Sequence, residues 1–276
     1  MGSMSVGSMS VALGLYSVYK ELQRDLESTL RRVKAIGYEG VEFYGPFIHE
    51  PEKMKDLLEE IGLVNCGWHT EWKLLQADTI DATLDYHARA GTTNMIIPAL
   101  GGPWQIGHQM SEDCADVWVQ YAVRINELAR LAEERNFRIG YHTHAHEFHT
   151  HFGESTPWSL LSEHTHSGVI LELDTGNCME AEADPAQAIA DHPGRVQLVH
   201  CKPFSRKLGH ETFIGSAMDD NDWPAILEAC SRSGTEWLIV EHESETEYPQ
   251  FDGAERCYAG LLEQLGQLQS AVDREV

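Results

Sequence analysis

The fold class is decided by three consecutive stretches: VILELDTGN (residues 169–177), DPAQAIADH (184–192) and VQLVHCKP (196–203). The first and third are short apolar runs rich in β-branched residues and bounded by Gly, Asn, Asp or Pro, which reads as strand. Between them Asp184-Pro185 opens a helix, because Pro fits the first helical turn and Asp caps it. A strand–helix–strand unit joins parallel strands by a right-handed crossover. The same unit recurs along the chain. Further β-runs are Val11–Val18, Gly40–Tyr44, Val64–Thr70, Asn94–Leu100, Arg138–His144 and Trp237–Ser244. Helical periodicity covers Asp25–Ile36, Glu52–Ile61, Asp78–Ala90, Ser111–Arg135, Pro157–His164, Pro185–His192, Asp222–Ser231 and Gly253–Leu268. Gly37, Gly62 and Gly91 close three of these helices. Eight repeats in 276 residues predict an α/β chain folded as a single (β/α)8 TIM barrel. An open doubly wound sheet is the alternative. It would carry a Gly-rich phosphate loop after the first strand, where the chain instead reads Leu15-Tyr16-Ser17-Val18-Tyr19.

The composition narrows the partners. Lys+Arg is 20 against 44 Asp+Glu, a formal net charge of −24. That excess argues against nucleic acid and against anionic membrane, both of them polyanions. No apolar run approaches the roughly 20 residues that cross a bilayer. Hydrophobic residues make up 42% of the chain, enough for a substantial core. Residues 1–10, MGSMSVGSMS, have neither a basic nor an apolar signal region and read as a disordered leader or tag remnant. The barrel is expected over 11–270, with Gln267–Val276 fraying. Six scattered cysteines without a CxxC pair read as reduced thiols, which implies a cytoplasmic location. The oligomeric state is left open.

In a parallel barrel the active site lies at the C-terminal strand ends. Side chains alternate with period 2, so residues i and i+2 point the same way. Strand five offers His142 and His144, strand six Glu172 and Asp174, strand seven His200 and Lys202, and strand eight Glu241 and Glu243. Strand two adds Glu42, and strand three adds His69 and Glu71. Ionisable groups are seldom buried unless they are paired or bind metal. Such a convergence predicts one divalent cation held by Asp174, His200, Glu241 and one group from His142–Glu147. A donor set of His, Asp and Glu without Cys suits Mn²⁺, Co²⁺, Mg²⁺ or Zn²⁺. Farther along the same His-rich stretch, His149 and His151 read as solvated loop histidines.

These residues resemble a known family. YHTHAHEF (141–148) is similar to the Tyr-His-Asn-His-x-x-Glu-Phe signature of one branch of the xylose isomerase-like TIM barrels, the sugar phosphate isomerase/epimerase superfamily. GYEGVE (37–42), LDTGN (173–177), HCK (200–202) and VE (240–241) support the resemblance, which runs from Val11 to Leu268. The group also holds inosose dehydratases, ketose 3-epimerases, hydroxypyruvate isomerases and apurinic endonucleases. The resemblance implies one metal held by Glu, Asp, His and Glu from strands five to eight. Carried over, the last three are Asp174, His200 and Glu241. The strand-five position falls on His142, a Glu-to-His departure, and Glu147 is the nearest carboxylate. The family's substrate-binding Arg matches Arg206, and a position that is often His is here Asn177.

The expected activity is a metal-dependent sugar isomerase or epimerase acting on a keto-sugar or related polyhydroxy carbonyl compound, by α-proton abstraction through an enediolate. Glu147, His144 and Glu241 are the acid/base candidates. His69, Trp104, Asn177, Lys202 and Arg206 are the candidates for holding a sugar or inositol-derived substrate. Tyr16, Glu42 and Trp72 are expected on the pocket wall. The alternative is a dehydratase or lyase of the inosose dehydratase or 3-keto-glycoside type, which would expel a β-substituent from the same carbanion. A non-catalytic sugar-binding barrel comes next. An endonuclease would need a basic face, which the charge opposes.

Overall fold

The structure, a computed structural model, describes residues 9–101 and 113–275. Eight strands close a barrel: β1 (Ser10–Gly14), β2 (Gly40–Tyr44), β3 (Val64–His69), β4 (Asn94–Ile97), β5 (Arg138–His142), β6 (Ile170–Asp174), β7 (Leu198–Cys201) and β8 (Trp237–Val240). Each strand pairs in parallel with the next, and β8 returns to β1. The fold is the expected (β/α)8 barrel. Ala12, Cys66, Ile96, Ile170, Leu198 and Ile239 plug its interior. Residues of the other parity, such as Val11, Leu13, Val41, Leu171, Val199 and Leu238, pack outward against the helices. Burial on both faces is why the strands read as continuous apolar runs rather than alternating ones.

The helices are α1 (Tyr19–Arg24), α2 (Leu26–Ile36), α3 (Pro51–Ile61), α4 (Ile80–Ala90), α5 (Ala115–Glu133), α6 (His146–His149), α7 (Pro157–His164), α8 (Thr175–Glu180), α9 (Pro185–Ala190), α10 (Trp223–Ser233) and α11 (Phe251–Glu275). Asp25, Thr156, Asp184 and Asp222 cap α2, α7, α9 and α10 through side-chain oxygens that accept backbone N–H groups.

Three expectations shift. The late strands end earlier than their apolar runs: β6 stops at Asp174, and β8 stops at Val240. The polar residues therefore sit at, or just past, the end of the ladder. The tail beyond Gln267 does not fray, because α11 stays helical to Glu275 and buries part of Leu265 and Leu268 against the core. Ser10, placed in the leader by its polarity, opens β1; residues 1–8 lie outside the described residues. The short helices α1, α6 and α8 were not anticipated, since four to six residues are too few to show a helical period.

Candidate metal centre

The centre is built where β6 turns into α8. Asp174 is the last residue of β6 and the N-cap of α8: its Oδ1 accepts a hydrogen bond from the Asn177 N–H at 2.8 Å. Its Oδ2 is buried and has no hydrogen-bond partner. Parallel register sets Asp174 beside His200 of β7. His200 Nδ1 lies 3.0 Å from Glu241 Oε2, just past β8. One ligand atom from each of Asp174, His200 and Glu241 lies within 4.8 Å of the other two, and all three residues are buried. A buried carboxylate oxygen that accepts no hydrogen bond, a second carboxylate and an imidazole at this spacing fit a divalent cation. The other face of the His200 ring is also fixed, with Nε2 2.6 Å from Glu42 Oε2. Such a carboxylate holds the tautomer that leaves Nδ1 for a cation. Gly67 makes room for it, since a Cβ there would lie 2.4 Å from Glu42 Oε1.

Below this set lies a second one. Glu172 is two residues earlier on β6 and points the same way. Its Oε2 is 2.9 Å from His142 Nδ1, 3.0 Å from His69 Nε2 and 3.5 Å from His200 Nε2. Ligand atoms of His69, His142, Glu172 and His200 lie within 4.8 Å of one another. Burial and charge compete here. Burial alone would raise the Glu42 pKa, but His69 and His200 outweigh it and hold Glu42 at about 2. Burial alone would lower His69, but Glu42 and Glu172 raise it to about 10. Burial and the neighbouring Glu42 charge lift Glu172 to about 7. Burial likewise lifts Asp174 to about 7 against the pull of Lys202.

A cavity of about 480 Å³ opens above both sets, with His69, His142 and Glu241 at its wall. His144, Asn177 and Lys202 face it, as do Tyr16 and Tyr44, which meet edge to face at 5.2 Å. Glu71, Glu180, His210 and Glu243 complete the polar part of the wall. Lys202 is buried among acids: its Nζ is 2.9 Å from Glu243, 3.3 Å from Glu241 and 3.8 Å from Asp174. It also donates to Asn177 Oδ1 at 3.3 Å.

The structure thus gathers Asp174, His200, Glu241, His142, His144, His69, Asn177 and Lys202 at one mouth. The other expected residues lie elsewhere. Glu147 is buried but spent on the chain itself: one oxygen accepts from the Tyr141 hydroxyl, and the other accepts from the His144 N–H at 2.7 Å. It fastens the loop after β5 and is in neither ligand group. Arg206 is exposed beside Asp220, 3.8 Å away, and does not reach the cavity. Trp72 packs against Tyr121 instead of the cavity, and Glu42 lies beneath the wall at His200. Trp104 lies outside the described residues. Tyr44, Glu180 and His210 were missed. Only Tyr44 carried a signal, standing two residues after Glu42 on the same face of β2.

Comparison with known proteins adds a family. A family model described as xylose isomerase-like TIM barrel matches residues 30–263. The chain is 24% identical over 258 residues to the rhizopine catabolism protein MocC of Rhizobium meliloti, covering 80% of this chain and 75% of that protein. It is 26% identical over 147 residues to an inosose dehydratase of Clostridium tetani, covering 46% and 48%. Among solved structures, a sugar phosphate isomerase/epimerase from Parabacteroides distasonis superposes with a TM-score of 0.75 at 19% identity, covering 94% of this chain and 97% of that one.

Proposed function

This chain belongs to the xylose isomerase-like TIM barrel family, and from that premise we propose that it is a divalent-metal-dependent isomerase or epimerase of an uncharged polyhydroxy carbonyl compound. The observation that carries the proposal is the meeting of Asp174, His200 and Glu241 at a cavity whose wall Glu241 reaches. These three residues hold the ion. Bound there, it supplies positive charge against the oxyanion that develops when a carbon next to a carbonyl gives up a proton.

The chain's own groups do the rest. Burial drives His144 down to about 3, so the ring stays neutral at the cavity wall and offers a hydrogen bond to a substrate hydroxyl, and the proton acceptor is the carboxylate of Glu241. Burial would raise Glu241, but Lys202 and His200 hold it well below the usual carboxylate range, so it stays ionised. Returning the proton to the neighbouring carbon gives an isomer, and returning it to the other face gives an epimer. Tyr16 and Tyr44 offer aromatic surface for the apolar face of a sugar.

The substrate is read as uncharged because the cavity has no cation to spare. All 20 Lys and Arg residues fall among the described residues, and of these Lys202 lines the cavity. Its charge is matched by Glu243, Glu241 and Asp174. A phosphate would instead face Glu71, Glu180 and Glu243.

The similarity to an inosose dehydratase favours a second reading, in which the same carbanion expels a β-hydroxyl. One experiment separates the readings. The metal-loaded protein is incubated in D₂O with ketoses, inososes and 3-keto-glycosides, and products are read by mass spectrometry. Deuterium uptake without loss of water is the expected result, and water loss selects the dehydratase. Undiminished turnover after rigorous chelation would refute metal dependence.

A further inference from the structure

We propose that His69, His142 and Glu172 form a second divalent-cation site, one layer deeper in the barrel than Asp174, His200 and Glu241. The three donors come from β3, β5 and β6, and register places His142 directly beside Glu172. Their spacing is that of a coordination shell. Ligands about 2.0–2.1 Å from a tetrahedral zinc stand roughly 3.3 Å from each other. Glu172 Oε2 is 2.9 Å from His142 Nδ1 and 3.0 Å from His69 Nε2, and all three ligand atoms fall within 4.8 Å of one another. Glu172 Oε1 is buried without a hydrogen-bond partner, and Oε2 is hydrogen-bonded to the two imidazoles of the same set, which an ion would bridge in place of the protons. An entry path exists, because His69 and His142 both reach the cavity wall.

The two sites need not compete for His200. Its Nε2 is held by Glu42 at 2.6 Å, while its Nδ1 is turned to Glu241 at 3.0 Å. The deeper site then has three protein ligands and an open position, the arrangement of catalytic rather than structural zinc sites. Two imidazoles and one carboxylate prefer Zn²⁺ or Co²⁺. Two carboxylates and one imidazole in the upper set accept Mn²⁺ or Mg²⁺ more readily.

The test is metal stoichiometry of the full chain. Protein stripped with chelator is titrated with Zn²⁺ alone, desalted and measured by plasma mass spectrometry. Two zinc ions per chain are expected in the wild type, and one each in Glu172→Gln and in Asp174→Ala. One ion in the wild type, lost in Asp174→Ala and kept in Glu172→Gln, overturns the deeper site and leaves the upper one standing. One ion lost only in Glu172→Gln supports the deeper site and removes the upper one. If Glu172→Gln fails to fold, the wild type and Asp174→Ala decide: an ion kept in Asp174→Ala supports the deeper site, and no ion in Asp174→Ala overturns it.

Discussion

Asp174 shows how one residue can serve fold and chemistry together. Its Oδ1 caps α8, while Oδ2 accepts no hydrogen bond and faces Lys202 Nζ at 3.8 Å. The cap explains why a buried carboxylate is tolerated at this point, since a charge-assisted bond to a backbone N–H recovers part of the desolvation cost. His87 is the opposite case, a histidine with a purely structural position. It is buried beside Trp68, and its Nε2 is 3.0 Å from the Thr70 hydroxyl. Burial pushes its pKa down to about 3. In the unfolded chain it titrates near 6.5. Below pH ~6.5 the unfolded chain therefore binds a proton that the native state refuses, and stability falls as pH drops toward about 3. His87→Leu is expected to flatten this acid limb by up to about 1.4 kcal/mol per pH unit. Urea unfolding at pH 5 and pH 7 checks it; an unchanged slope would remove His87 as the cause.

At the scale of elements, the barrel makes its site by ending strands early. Every late run was recognisable from apolar, β-branched residues, but its polar end was read as more strand. The reason is physical: the residues past Asp174 and past Val240 leave the ladder because side-chain caps and loop contacts offer their backbone other partners. Local glycines then let the strands hold their charges. Gly67 of β3 gives way to Glu42 of β2, and that carboxylate in turn fixes His200. Gly67→Ala is expected to cost roughly 1–3 kcal/mol by overpacking, measured by urea unfolding, and to weaken metal binding in parallel. Lost stability with unaltered metal affinity would break the link between β3 and the centre.

Taken whole, the molecule concentrates acids and imidazoles in the middle of a closed apolar ring. An ion bound only by the folded state must stabilise it. At a free concentration 100 times its Kd the gain is about 2.7 kcal/mol, so chelation is expected to lower Tm by several degrees. An unshifted Tm in the chelated protein would mean that no native cation sits among Asp174, His200 and Glu241. The sequence by itself determined the closed alternation of strand and helix, because buried parallel strands and capped helices each leave a periodic signature. It also determined which strand ends carry the carboxylates and imidazoles. It did not determine who faces whom. Glu147 and Arg206 satisfied the sequence pattern, yet one is bound by Tyr141 and the other stands in solvent beside Asp220. Glu42 and Glu172 were visible as inward-facing acids, but their bonds to His200, His69 and His142 cross the barrel. Those partners are far apart in the chain, and only the closure of the ring, with its register, sets which of them meet.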